Sequence, residues 1–233
     1  MKKIMLIGLA LIFVSTSAMA LPFNNGPVLQ NELDIRTSGG SSSVDVANDM
    51  LSDQNDSYWN ITASGGSFST IIFEMAGYRD GTSFGLYDTS DKSNTLELYT
   101  GTDSEEYRNT LQIVNGDFNS ARFDSNAQFL GQSSATFSSY NFGYYLDVSD
   151  TGKVYYSDTN LNADKYDHMF AYSGVGDSFS VYNDGVYAPW TSAEWVLAWE
   201  DLYNGGDEDF TDFVVMAESV APVPEPATLL LLG

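Results

Sequence analysis

An all-β fold, an antiparallel β-sandwich of jelly-roll type with short loops and little helix, follows from three features of this sequence. Its apolar runs are short, rich in aromatic and β-branched residues, and mostly alternate with polar positions. Clusters of Gly, Asn, Asp and Ser separate them as turns. Only Val44 to Leu51 carries a hint of helical periodicity. Many short strands at regular intervals are the pattern of sandwiches and barrels.

Taken in order, the strand-like runs are Phe68–Met75, Thr82–Tyr87, Thr95–Tyr99 and Thr110–Val114, the last closed by the turn Asn115-Gly116-Asp117. Phe142–Leu146, Lys153–Tyr156, His168–Tyr172 and Phe179–Tyr182 follow, then the turn Asn183-Asp184-Gly185 and the run Trp195–Trp199. Gly39–Ser43 and Ser133–Ser139 read as loops, and no internal repeat is present. The organisation expected is a signal segment over 1–20, a β-sandwich body over 21–219, and a Pro-rich linker over 220–233.

The first twenty residues have the three parts of a secretory signal: Lys2 and Lys3, an apolar run from Ile4 to Val14, and the small-residue site Ala18-Met19-Ala20. Cleavage there would start the mature chain at Leu21. Seven basic residues would then face 32 acidic ones, a net charge of −25. Such a charge argues against nucleic acid and anionic lipid as partners, since both require basic surface. It suits solubility and cation binding. There is no cysteine, so an exported chain of this kind is held by its core or with help from a metal.

The densest chemistry lies in Trp195–Met216. Trp195, Leu197 and Trp199 recur at period two, and Val214 and Met216 lie on a returning strand. Between them stand Glu200, Asp201, Asp207, Glu208, Asp209 and Asp212, with no basic residue. Carboxylates this close stay apart in water, rise in pKa, or share a cation. Carboxylate and carbonyl oxygens suit a hard ion such as Ca²⁺. Gly205-Gly206 gives the chain freedom to curl around it. The candidate ligands are therefore Glu200, Asp201, Asp207, Asp209 and Asp212; the alternative is a solvated acidic turn.

This stretch resembles the end of DUF4114 domains, whose pattern is E-D-L-x-x-G-G-D-x-D-[FY]-x-D-[FV]. Glu200, Asp201, Leu202, Gly205, Gly206, Asp207, Asp209, Phe210, Asp212 and Phe213 all match it. The resemblance reaches from about 142 to 217. It implies an extracellular β-domain of surface proteins, with calcium binding suspected and no enzymatic activity attached. Upstream, Asn162, Asp164, Asp167 and His168 resemble the N-x-D-x-x-D-H that precedes the acidic loop in that family, which makes Asn162, Asp164 and Asp167 a second set of candidate ligands. Asp158, Asn160 and Asn162 also have the alternate spacing of the first EF-hand ligands, but Ala163 and Met169 break that pattern. A polar turn explains the block equally well.

At the other end, Val223, Pro224, Glu225 and Pro226 open a segment similar to the PEP-CTERM sorting signal of exopolysaccharide-producing Gram-negative bacteria. The resemblance implies an exosortase as processing partner and a cell-surface or extracellular destination. Here the chain departs from the family pattern. Its apolar segment is Leu229–Leu232, too short to span a bilayer, and no basic cluster follows it.

A single histidine and no cysteine exclude Cys–His chemistry and multi-histidine zinc sites, and leave His168 as a structural residue. The expectation is a non-enzymatic, exported surface or biofilm-matrix protein with calcium in its last hairpin. A carbohydrate-binding module for exopolysaccharide is the alternative, with Tyr187 and Trp190 among the aromatics that could stack on sugar. A polysaccharide hydrolase is the third reading, although no apolar neighbour is arranged to raise one acid's pKa.

Overall fold

Alternation sends Trp195, Leu197 and Trp199 to one face of their strand and Val196 and Ala198 to the other, and both faces are buried. This double burial sets the layering of the computed structural model, which describes residues 26–73 and 81–224. The strands are β1 (Tyr58–Ile61), β2 (Ser67–Phe73), β3 (Thr82–Asp88), β4 (Asp91–Tyr99), β5 (Arg108–Val114), β6 (Asp117–Phe123), β7 (Phe129–Ala135) and β8 (Phe142–Val148). They continue as β9 (Lys153–Tyr156), β10 (Met169–Ser173), β11 (Ser178–Phe179), β12 (Ala188–Pro189), β13 (Glu194–Trp199), β14 (Phe213–Glu218) and β15 (Val220–Val223). One sheet runs β15-β1-β8-β3-β4 with β9 on the flank of β8; the other runs β10-β13-β14-β2-β5-β6-β7. Every pairing in them is antiparallel. The fold is an all-β sandwich.

The core between the sheets is aromatic. Trp59, Phe84, Phe142 and Tyr144 from one sheet meet Trp195, Trp199 and Phe213 from the other. Phe84 packs edge-on to Trp199 at 5.9 Å, and Trp59 edge-on to Trp195 at 5.2 Å. These geometries favour ring contacts beyond simple area burial. On the outer face of the second sheet, helix α1 (Gly26–Arg36) lays Leu29 and Leu33 against Val196, Ala198, Val214 and Met216. Val214 and Met216 therefore lie on the face opposite the tryptophans, because they pair with Ala198 and Val196. Phe213, Val215 and Ala217 share the tryptophan face instead.

Several sequence expectations change. Val44–Leu51 is an extended segment with a turn, not a helix. Gln30 holds it open by bonding both Val44 O and Val46 N, each at 3.0 Å. Ser133–Ala135, expected as loop, completes β7. Phe179–Tyr182 contributes only the two-residue β11. The Pro-rich segment is not linker from its start: β15 pairs with β1, placing Pro222 opposite Trp59. An edge strand tolerates a residue without a backbone donor. The turn at Asn115-Gly116 is a hairpin with φ of 55° and 95°, the left-handed pair that Asn-Gly favours.

No helix among the described residues is long and apolar enough to cross a membrane. The signal segment and its cleavage site, with Glu225, Pro226 and the apolar end, lie outside the described residues.

Candidate metal centre

The acidic loop is clamped at both ends. β13 and β14 pair in register from Glu194↔Glu218 to Trp199↔Phe213, and Asp212 N donates to Trp199 O at 3.2 Å. Beyond β13 the chain stays fastened to the strand beside it, since Glu200 N donates to His168 O at 3.1 Å. Phe210 anchors the return from below, fully buried and stacked on Phe170 with ring centroids 3.8 Å apart. Between these anchors the backbone turns sharply, with positive φ at Asn204, Gly205, Gly206, Glu208 and Phe210. A bulky residue such as Phe210 adopts this region at a cost that the surrounding packing must offset. Gly206 is required by contact as well: a Cβ there would lie 2.5 Å from Glu200 Oε1.

This folding brings all five hairpin candidates together. One oxygen from each of Glu200, Asp207 and Asp209 lies within 4.8 Å of the others, and the same holds for Glu200, Asp201 and Asp212. Glu200 belongs to both groups and is fully buried; Asp201 is 2% exposed. Asp207 is exposed, while Asp209 and Asp212 are intermediate, so the cluster runs from the interior to solvent. Backbone donors aim the carboxylates. Leu202 N and Glu208 N donate to the two oxygens of Glu200 at 3.0 and 3.1 Å. Asp201 N donates to Asp212 Oδ2 at 2.8 Å, and Thr211 N to Asp209 Oδ1 at 2.9 Å. Asp201 Oδ2 is buried with no hydrogen-bond partner.

Burial dominates the electrostatics. It pushes Glu200 up to about 9, with Asp212 as the next cause, and Asp201 up to about 7, again reinforced by Asp212. Asp212 is raised for the same reason, by burial first and Asp209 after it. The charged groups acting on these three are all carboxylates. No apolar neighbour in the sequence marks which of these acids would rise; the fold raises Glu200, Asp201 and Asp212 by burying them. Such a cluster can hold protons or a hard cation in the same place.

The second candidate set separates. Asn162 is a clasp with its side chain committed: Oδ1 accepts from Tyr156 N at 2.7 Å, and Nδ2 donates to Tyr156 O and Tyr166 O. Asp158, of the EF-like spacing, caps the short 3-10 turn Thr159–Leu161 and accepts from Tyr58 Oη at 2.7 Å. Asp164 alone abuts the hairpin, accepting from Asn204 N at 2.8 Å and meeting His168 Nε2 at 3.1 Å. Asp167 is buried and accepts from Met169 N at 3.1 Å, outside the acidic hairpin, and burial raises it to about 8. The spacing misleads because short polar side chains here satisfy their own backbone.

His168 is fully buried, stacked 3.7 Å from Tyr155, and its Nδ1 lies 2.9 Å from Glu200 O. Burial lowers its pKa, opposed by the contact with Glu200 O and by Asp164. It bridges the loop of Asp164 to the acidic hairpin. Of the two aromatics considered for sugar stacking, Tyr187 is 45% exposed but Trp190 is buried against Phe179.

No curated protein and no solved structure matches the chain. A family model described as a domain of unknown function, DUF4114, matches residues 78–219, which extends the likeness well upstream of 142 to take in β3 and the strands after it. The acidic hairpin closes that matched region, and the chain belongs to the DUF4114 family.

Proposed function

We propose that this is a non-enzymatic, exported surface or matrix protein whose last hairpin takes up Ca²⁺ through Glu200, Asp201, Asp207, Asp209 and Asp212. The observation that carries the reading is Asp201 Oδ2, an acidic oxygen buried beside Glu200 without a partner. A buried carboxylate is costly unless paired, protonated or metal-bound. A calcium ion would bind the oxygens at this centre and cancel their mutual repulsion. Extracellular calcium modules bind with Kd of about 0.1 to 1 mM, a range matched to an exported protein. Titration calorimetry with Ca²⁺ on the wild type and on Asp201→Asn tests it: the variant should lose one bound ion.

Export through the N-terminal signal, with a mature start at Leu21, belongs to the same reading, as does recognition of the Val223–Pro226 motif by an exosortase. N-terminal sequencing of the secreted protein checks the first. Burial of Glu200 and Asp201 speaks against a hydrolase, whose acid pair must reach a bound sugar. Binding of exopolysaccharide is the weaker reading, since Trp59, Trp190, Trp195 and Trp199 are all buried.

A further inference from the structure

We infer that two adjoining clefts on the β7 side of the second sheet bind a neutral oligosaccharide, through the ring of Tyr140 and the amides of Gln112, Asn119 and Gln132. Alternation along β5 and β6 sends Leu111 and Phe118 into the core, so Thr110, Gln112, Asn119 and Ala121 face outward. Strand pairing sets them in two rows, Thr110↔Ala121↔Gln132 and Gln112↔Asn119↔Ser134. These rows line a cleft of about 270 Å³. Gln112 also lines a second cleft, of about 460 Å³, which it shares with Ile61, Ile113, Val114 and Tyr140. Tyr140 is 62% exposed, so its ring is open to a ligand.

Two of the amides are pinned. Gln112 Nε2 donates to Gly65 O at 3.1 Å and Asn119 Nδ2 to Asp117 O at 2.9 Å, so each holds its oxygen as a fixed acceptor. Thr110, Gln132 and Ser134 add groups that both donate and accept. Fixed acceptors call for a ligand with donors, such as hydroxyls. Neither cleft is lined by a carboxylate, a lysine or an arginine, in a chain with 32 acidic residues. An anion would meet no cation there, and a cation no carboxylate. An uncharged, hydroxyl-rich ligand fits: its hydroxyls suit the amides, and the flat C–H face of a sugar ring suits Tyr140 and the apolar side chains beside it in the second cleft. This site draws on none of the buried tryptophans and stands apart from the calcium centre.

Affinity electrophoresis of the full chain in gels holding dextran, laminarin or galactomannan tests this, with polygalacturonate as the charged control. Wild type should be retarded by at least one of the three neutral polymers and should run freely in polygalacturonate. Tyr140→Ala and Gln132→Ala, both at exposed positions, should each weaken binding about tenfold or more, with melting curves to confirm that they fold. The hairpin variant Asp207→Asn/Asp209→Asn should bind sugar like wild type, so failure of the calcium reading leaves this result untouched. Retardation by none of the neutral polymers, equal retardation of wild type and both cleft variants, or equal retardation in polygalacturonate overturns the proposal.

Discussion

Asp212 accepts the backbone N–H of Asp201 at 2.8 Å, across the mouth of the hairpin that joins β13 to β14. This bond sets two acidic residues from opposite arms side by side, and Glu200 completes the group from the buried side. The sandwich supplies the rigidity: β13 and β14 lie inside the second sheet, buried on both faces, so the loop begins and ends on fixed points. Sites on such supports hold their geometry without a ligand.

Replacing Glu200 by Gln should remove calcium binding at the hairpin, and calorimetry should show the loss of one bound ion. It should also cost about 1 to 3 kcal/mol, because both oxygens of Glu200 accept backbone N–H groups, from Leu202 and Glu208, and glutamine offers only one acceptor oxygen. Thermal melts in chelator at pH 7 should therefore fall below wild type.

Stability of the calcium-free protein should fall as pH rises. The folded state raises Glu200 to about 9 and Asp201 to about 7, above their ordinary 4.5 and 3.8, so it holds protons the unfolded chain releases. That contribution is complete below about pH 4 and is lost as pH climbs through the folded values, by up to about 1.4 kcal/mol per pH unit for each proton. Asp56 and Asp167 act in the same direction. Calcium competes with these protons, so its affinity should increase over the same window. Urea midpoints at pH 5, 7 and 9, with chelator and with millimolar calcium, check both signs.

Gly206→Ala should cost more than about 1 kcal/mol, because the position has φ of 48° and a methyl would press on Glu200 Oε1 and Leu202. The loss should appear in both the melting temperature and the calcium affinity. A neutral result in both would mean the loop relaxes freely.

His168→Gln should destabilise by about 1 to 3 kcal/mol, since one side of a buried bridge between Glu200 O and Asp164 goes unmet. Calcium stoichiometry should stay as in wild type. Loss of the ion with intact folding would make His168 part of the centre rather than its support.

The hairpin was legible because its determinants are local. Two apolar runs fix the loop ends, Gly205-Gly206 permits the turn, and residues 200–212 bring every ligand candidate. Burial was not legible: nothing in the spacing says that Glu200 and Asp201 lie inside while Asp207 lies outside. Helix α1 escaped notice because the apolar part of its buried stripe is only Leu29 and Leu33 among the described residues, continued by the buried Arg36. β15 escaped because its prolines read as breakers, whereas pairing along one edge leaves Pro222 without conflict.

The central claim is that the acidic hairpin binds calcium, and titration calorimetry on wild type against Asp207→Asn/Asp209→Asn tests it most directly. Asparagine keeps the acceptor that Asp209 offers to Thr211, so the loop should stay folded. At calcium one hundred times its Kd, a bound ion stabilises the fold by about 2.7 kcal/mol. The account predicts one ion fewer in the variant, and a smaller calcium-dependent rise in melting temperature than in wild type. Equal stoichiometry and equal melting shifts in the two proteins would contradict it and leave the hairpin a solvated acidic turn.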